Sequence, residues 1–184
     1  MPTYMNLLET ENYMIILGID PGVATVGFGV IRISGGRQDM IRCGVISTPP
    51  DLKLSERLAQ IHNDLLQLID MFKPDAIAIE ELFFNTNHKT GIAVAHARGV
   101  ILLAGVSRNI PMYEYTPLQV KQAVCGYGRA DKKQVMEMVR RLLRLESVAK
   151  PDDASDALAI AICHARFACS ILNQHDGEAK CSTI

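Results

Sequence analysis

The hydrophobic pattern of the chain changes its period after residue 47, and this change constrains the fold more than any other feature. Before it lie three apolar runs of strand length, residues 14–20, 26–33 and 40–47. Pro21-Gly22 and Gly35-Gly36 separate these runs, and both pairs are typical of tight turns. The sequence therefore predicts three antiparallel strands joined by short turns.

After residue 47 the apolar residues take helical spacing, and helices alternate with short strands. The predicted elements are a helix over 54–72, a strand over 76–80, a helix over 87–108, a strand over 111–115, a helix opened by Pro117, a helix capped by Asp131 and Gln134, and an Ala-rich helix over 152–169. A strand, helix and strand in succession are typical of a parallel crossover. We therefore predict an α/β domain with a mixed five-stranded sheet, three antiparallel strands followed by two parallel ones, and helices on both faces.

The two ends of the chain are expected to lie outside this domain. Residues 1–13 form an N-terminal extension that carries acids and no basic residue, so it does not resemble a signal peptide. Residues 171–184 are polar and unpatterned, and we expect a disordered C-terminal tail. The predicted domain thus spans residues 14–170.

Composition excludes several classes of protein. No apolar run reaches the length of a membrane span, and the five cysteines show no metal-binding spacing, which favours reduced thiols in a cytoplasm. The net charge of −1 argues against a protein that is basic overall. Residues 121–144, however, contain seven Lys or Arg and only two Asp or Glu. This segment is a candidate contact for nucleic acid.

Four acids stand where an α/β fold places functional groups. Asp20 and Glu80 each end an apolar strand, and Asp153 and Asp156 open the Ala-rich helix. Each has an ordinary explanation when taken alone: a turn for Asp20, a solvated loop for Glu80, and the helix N-terminus for Asp153. Asp156 fits its ordinary explanation least, because it lies beyond the cap and three residues from another acid, a repulsive spacing.

Together the four acids predict a metal site. The carboxyl ends of parallel strands form the crevice in which α/β proteins bind ligands. Carboxylates gathered there can all ionise only at a cost in free energy unless cations are nearby. Hard oxygen ligands select Mg²⁺ or Mn²⁺, and a pair of such ions is the usual arrangement for phosphodiester hydrolysis.

Several motifs in order carry a family resemblance. They are GIDPG at 18–22, AIEELFF at 78–84, AHARG at 95–99, YTPLQVKQAVCGYGRADKKQV at 115–135 and DDASDALAIAICH at 152–164. From about Met14 to about Cys169 the chain resembles the RuvC crossover junction endodeoxyribonucleases in the order and spacing of these motifs. Met1 to Tyr13 precede the start that is usual in that family.

The resemblance implies an RNase H-like fold and a homodimer that works with the RuvA–RuvB branch-migration complex. It implies Mg²⁺-dependent nicking of two opposed strands of a four-way DNA junction in recombination and repair, leaving 5′-phosphate and 3′-hydroxyl ends. Two Mg²⁺ ions are expected in each active site, with Mn²⁺ able to substitute. By this resemblance the catalytic, metal-binding acids are Asp20, Glu80, Asp153 and Asp156, and the DNA contacts are Lys121, Lys132 and the base-stacking Phe83.

Some alternatives stay open at this point. A YqgF-type RNase H-like nuclease acting on RNA and a non-catalytic junction-binding module share much of the pattern. Glu81 and Asp152 are acids beside the predicted ligands, so the assignment could be displaced by one residue. The dimer surface is not fixed either, and the helices at 87–108 and 152–169 are both candidates. His164, on the apolar last helix, is expected to be buried or at an interface rather than a metal ligand.

Overall fold

The computed structural model describes residues 13–81 and 88–179, with side chains described through residue 81 and from 91 to 168. Its strands are β1 (Tyr13–Asp20), β2 (Thr25–Ser34), β3 (Arg37–Ser47), β4 (Ala76–Glu80) and β5 (Met112–Tyr115). They form one sheet in the order β3-β2-β1-β4-β5. β1 pairs antiparallel with β2 and parallel with β4, while β5 pairs parallel with β4. This arrangement confirms the predicted mixed sheet.

The helices are α1 (Leu54–Phe72), α2 (His88–Ser107), α3 (Pro117–Cys125), α4 (Lys132–Leu142) and α5 (Asp152–Ala179). They divide the core into two layers, one on each face of the sheet, as predicted. α1 and α2 pack on the face to which Leu17 and Ile19 point. α3, α4 and α5 pack on the opposite face, which receives Ile16 and Ala78. This second layer covers the face of the sheet toward which the predicted acids Asp20 and Glu80 are expected to point.

α5 lies unusually close to the sheet because small residues meet along the contact. A methyl group added at Gly18 would collide with the backbone of Ala157, and one added at Gly27 would collide with the backbone of Asp153. Ala154, Ala157 and Ala161 of the helix are themselves fully buried. The contact therefore fixes the first turn of α5 against the ends of β1 and β2.

The ends of most elements lie within three residues of their predicted positions, but the prediction for α5 was wrong at its C-terminus. The helix continues to Ala179, whereas the apolar pattern ends near Cys169. Residues 170–179 contain no proline, the residue that most strongly disfavours a helix interior, and the helix continues through the weak helix formers Asn173 and Gly177. The segment assigned to a disordered tail is thus helical as far as Ala179. The division of the chain at residues 13 and 170 stays a prediction.

Candidate active site

Strand alternation places two of the acids on the face that α5 covers. Ile16 and Ala78 belong to the core layer beside α5. Side chains on a strand alternate between faces, so Asp20 points to the same side as Ile16, and Glu80 to the same side as Ala78. Ile19 pairs with Ile79 in the parallel ladder, which makes Asp20 and Glu80 neighbours at the carboxyl ends of adjoining strands.

The first turn of α5 brings the other two acids to this edge. Asp153 and Asp156 are three residues apart, so they share one face of the helix. The carboxylate oxygens of Asp20, Asp153 and Asp156 lie within 4.8 Å of one another. Three acids from the two ends of the domain therefore meet at one point, as the sequence predicted.

Glu80 stands slightly apart from this close group. It is not a member of the set that lies within 4.8 Å. It does line the same pocket of about 250 Å³ as Asp20 and Asp156, together with Lys121 and Lys132. The four predicted acids therefore share one site, in which three carboxylates are close together and Glu80 lines the adjoining pocket.

Burial and mutual repulsion make this cluster hard to ionise. Burial, followed by the charges of Glu80, Asp156 and Asp153, raises the pKa of Asp20 to about 7. Burial, and then the charge of Asp156, raises the pKa of Glu80. Burial likewise raises the pKa of Asp156, although Lys132 opposes the shift. These three carboxyl groups hold their protons more tightly than ordinary acids do.

The donor set fits a divalent cation. It consists of carboxylate oxygens alone, which suit Mg²⁺ or Mn²⁺ better than zinc. A dication would oppose the rise in the pKa of Asp20 that burial and the neighbouring acids cause, because a nearby positive charge favours the ionised form. Asp20, Asp153 and Asp156 would hold such an ion directly, with Glu80 beside them.

Lys132 has a different environment from the one expected of a phosphate contact. Its Nζ atom lies 3.1 Å from Oδ2 of Asp156 and 3.4 Å from Oδ2 of Asp152. Lys121 lines the same pocket, and its charge opposes the rise in the pKa of Glu80 that burial and Asp156 cause. Lys132 therefore contacts the acid cluster itself, Lys121 lines the pocket beside it, and a role of either lysine at the phosphate stays a prediction.

The basic segment is less free than its composition suggests. Arg140 and Arg141 both donate hydrogen bonds to Glu137, with N···O distances of 2.8–2.9 Å. Arg144 lies 3.9 Å from Asp39. Over the residues that the structure describes, the cations of the segment for which no ion pair within 4.0 Å is found are Lys121, Arg129 and Lys133.

The acids beside the predicted ligands have separate places. The side chain of Glu81 is exposed, and its backbone N–H donates to the carbonyl of Tyr115. Asp152 is exposed and outside the close carboxylate group, and it contacts Lys132. The sequence suggested Asp152 as an acid at a helix N-terminus or as a competing ligand, and not as a partner of Lys132. The available signal was Lys132 at the first position of α4, because a cation is unfavourable at the positive end of a helix.

The sequence also predicted a base-stacking role for Phe83 and a buried or interface position for His164. Phe83 lies outside the described residues, so its base-stacking role stays a prediction. His164 is buried, as expected, and its Nδ1 atom lies 2.7 Å from the hydroxyl of Tyr115. Burial lowers the pKa of His164 to about 4, so the ring is neutral near pH 7.

Known proteins are similar to this chain in both sequence and fold. The family model for crossover junction endodeoxyribonuclease RuvC matches residues 16–164. The chain is 54% identical to the crossover junction endodeoxyribonuclease RuvC of Desulforamulus reducens over 154 residues, which is 84% of this chain and 94% of the relative.

The structural comparison agrees with the sequence match. The structure of Thermus thermophilus RuvC in complex with a Holliday junction substrate superposes with a TM-score of 0.81 at 38% identity, and the match covers 84% of this chain and 94% of that one. The fold is also that of the yeast mitochondrial Holliday junction resolvase Ydc2, with a TM-score of 0.60 at 17% identity over 80% of this chain and 76% of the other. The chain therefore belongs to the RuvC family of crossover junction endodeoxyribonucleases.

Proposed function

We propose that the protein resolves Holliday junctions by metal-dependent nicking of two opposed strands, using Asp20, Glu80, Asp153 and Asp156. The observation that carries this proposal is the convergence of three carboxylates within 4.8 Å at the ends of β1 and α5. Such a cluster repels a DNA phosphate unless cations neutralise it. In a nuclease that binds divalent ions, this repulsion would make phosphate binding depend on the bound metal.

The residues around the cluster would orient the DNA backbone. The pocket is lined by Pro117 and Lys132, which are the first residues of α3 and α4, and by Asp156 near the start of α5. Helix N-termini carry partial positive charge and favour phosphate. Lys121 adds a full positive charge on the same wall. A phosphate at the pocket mouth would therefore be attracted by the helix N-termini and by Lys121, and it would be repelled by the carboxylates.

The four acids would hold two Mg²⁺ or Mn²⁺ ions. When bound, these ions would lower the pKa of an attacking water and stabilise negative charge on the leaving 3′ oxygen. The carboxylates of Asp20, Asp153 and Asp156 would keep their relative positions because α5 packs closely against β1 at Gly18 and against β2 at Gly27. Glu80, set slightly apart, would be free to accept a proton or a further ligand bond.

The alternatives fit the chain less well. A non-catalytic junction-binding module would have no use for acids whose pKa values are raised by burial and crowding. A nuclease of the YqgF type acting on RNA is not favoured by a match to the RuvC family model that spans residues 16–164.

The test is nicking of a synthetic four-way DNA junction labelled in turn on each strand. We expect cuts on two opposed strands with Mg²⁺ and none with EDTA. Asp20→Asn should lower the rate by at least about 10³-fold while retaining junction binding, because several kcal/mol of charge stabilisation are lost. Asp51→Asn, which removes an exposed acid far along the chain from the cluster, is the matched control.

Three outcomes would count against the proposal. Cutting by Asp20→Asn at the wild-type rate would remove the acid cluster from the mechanism. Equal cutting of linear duplex would remove the junction as the substrate. Preferential cutting of an RNA–DNA hybrid would favour the RNA-directed alternative.

We also propose that the protein forms a homodimer through α2. The exposed residues Ile92, His96, Gly99, Leu103 and Val106 follow one another at spacings of four and three residues. This spacing is that of the seam along which two helices pack. The opposite side of α2, with Ala97, Ile101 and Ala104, is already buried in the protomer.

Gly99 supports a close helix partner. A methyl group at this position would meet nothing within 4 Å in the protomer, so internal packing does not require glycine there. Glycine in the middle of a helix costs about 0.5–1 kcal/mol relative to alanine. A second helix that approaches closely at Gly99 would explain the choice. The other candidate surface, α5, has its apolar residues from Ala154 to Ala165 buried against its own sheet.

Light scattering with size-exclusion chromatography tests the dimer. Leu103→Glu should convert a dimer into a monomer, because it introduces a charge into the seam. Met71→Glu, on an exposed residue of α1, is the control that should remain dimeric. A monomeric wild-type protein, or a dimer that survives Leu103→Glu, would contradict the assignment.

Among the described residues no helix is long and apolar enough to cross a membrane. A cytoplasmic location and work with the RuvA–RuvB complex are part of the proposal. The second would be tested by co-purification of the three proteins on a four-way junction.

A further inference from the structure

Lys132 bridges two acids of the same helix. Its Nζ atom lies 3.1 Å from Oδ2 of Asp156 and 3.4 Å from Oδ2 of Asp152. The two acids are four residues apart, so they lie on one side of α5 and would otherwise repel each other. One ammonium group is therefore shared between an acid inside the carboxylate cluster and an acid outside it.

The two acids are not equivalent. Asp156 belongs to the group within 4.8 Å that fits a cation, and its side chain is 32% exposed. Asp152 is outside that group, and its side chain is 56% exposed. A dication held by Asp156 would compete with the ammonium for the same carboxylate. Asp152 would remain available to the ammonium whether or not the cluster is occupied.

We propose that Asp152 is a positioning residue for Lys132: it holds the lysine ammonium at the rim of the site so that Asp156 can exchange that ammonium for a metal ion. The inference rests on the proposed function of the carboxylate cluster. Lys132 suits such an exchange because lysine is a point charge on a flexible four-carbon stem, unlike the planar guanidinium of arginine. A small rotation of the stem would move Nζ from Asp156 towards Asp152.

The location of Lys132 gives a second reason for an acid at position 152. Lys132 and Lys133 are the first two residues of α4, where the helix dipole disfavours cations. Asp131 caps the helix with its own side chain and accepts from the backbone of Gln134, so it is already engaged. Asp152 supplies an external countercharge that keeps Lys132 in place when Asp156 is occupied by metal.

The proposal makes Asp152 matter to metal binding through Lys132. Without Asp152, Asp156 would be the one remaining ion-pair partner of the ammonium among the described residues, and the ammonium would compete harder with the cation. Asp152→Asn should therefore weaken Mn²⁺ binding, and Lys132→Met should strengthen it. Loss of the Asp152 charge would also weaken Mn²⁺ binding directly through space, and a double-mutant cycle separates the two effects.

The experiment is calorimetric titration of Mn²⁺ into the DNA-free protein and into Asp152→Asn, Lys132→Met and the double variant. We expect the loss of affinity caused by Asp152→Asn to be about two- to fivefold larger with Lys132 present than with Met in its place, the range of a partly exposed ion pair. Asp152→Glu should restore most of the wild-type affinity. Coincident thermal melts of the variants in EDTA confirm that each is folded.

Equal losses in the two backgrounds, whether large or absent, would overturn the role of Asp152. Failure of the proposed function is recognised separately, because it would appear as absence of junction nicking by the wild-type protein. Nicking that persists while the cycle shows no coupling would remove this inference alone.

Discussion

Glu137 and Asp20 are acids in the same layer of the molecule, and they have opposite electrostatic environments. Glu137 accepts hydrogen bonds from Arg140 and Arg141, which lower its pKa to about 2. Asp20 is half-buried among other acids, and desolvation and their charges raise its pKa to about 7. The fold thus neutralises one acid completely and leaves the other in a cluster that is short of positive charge.

The two environments show which acid is paired by the protein's own side chains and which acids lack enough positive charge within the protein. α4 places two arginines on a single surface glutamate, although the half-buried carboxylate cluster has the greater need of positive charge. The cluster receives flexible lysines at its edge, Lys132 and Lys121. Glu137 is paired within the fold, whereas acids that are proposed to bind a cation must stay accessible to it.

The largest expected contrast between the two environments is in activity. Asp156→Asn should lower junction nicking by at least about 10³-fold, because a ligand of the cation is lost. Glu137→Gln should leave nicking within about twofold, because surface ion pairs contribute little. Single-turnover rates on a labelled junction measure both. A large loss in Glu137→Gln would mean that the paired acid also serves the reaction.

The next contrast is in the pH dependence of stability without metal. At pH 8 the folded protein carries Asp20 ionised at a cost, so Asp20→Asn should be more stable than the wild type by about 1–3 kcal/mol after allowance for solvent screening. As the pH falls from 8 to 6, Asp20 takes up a proton in the folded state, whereas in the unfolded state it remains ionised. The wild type should therefore regain about 1 kcal/mol relative to the variant.

Urea unfolding in EDTA at the two pH values measures this change. Comparison with Asp20→Asn cancels the contribution of His164, whose lowered pKa makes the folded state less stable as the pH falls. A constant difference between the wild type and Asp20→Asn across this range would show that Asp20 does not titrate there.

The smallest expected difference is in the salt dependence of junction binding, between Arg141, which pairs with Glu137, and Lys133, for which no ion pair is found among the described residues. Lys133→Ala should reduce the salt dependence of junction binding by about one unit of log–log slope, as expected for one phosphate contact. Arg141→Ala should change the slope less, because its guanidinium already donates to Glu137. Anisotropy titrations at several salt concentrations compare them. Equal changes in slope would show that Glu137 releases Arg141 to the DNA.

The sequence alone predicts much of the site for physical reasons that are local. Strand alternation places Asp20 and Glu80 on one face, and helical spacing places Asp153 beside Asp156. The glycines and alanines that bring α5 against the sheet are also visible in the sequence. The topology then follows from the parallel crossover, so the convergence of these acids was predictable.

Features that depend on contacts between helices could not be predicted in this way. The pairing of Lys132 with Asp152 and Asp156 depends on how α4 lies against α5. Glu137 stands three and four residues before Arg140 and Arg141, a spacing that is visible in the sequence. The charge composition of residues 121–144 alone, however, indicated free positive charge. Local patterns describe faces of elements, and ion pairs between elements require their relative placement.

The most direct test of the unneutralised cluster is the effect of Mn²⁺ on thermal stability. A cation that binds only the folded state stabilises it by about 2.7 kcal/mol at one hundred times its dissociation constant. The melting temperature of the wild type and of Glu137→Gln should therefore rise by several degrees with Mn²⁺ relative to EDTA. The melting temperature of Asp20→Asn should rise much less, because the cluster has lost a ligand. An equal rise in all three proteins would contradict the account.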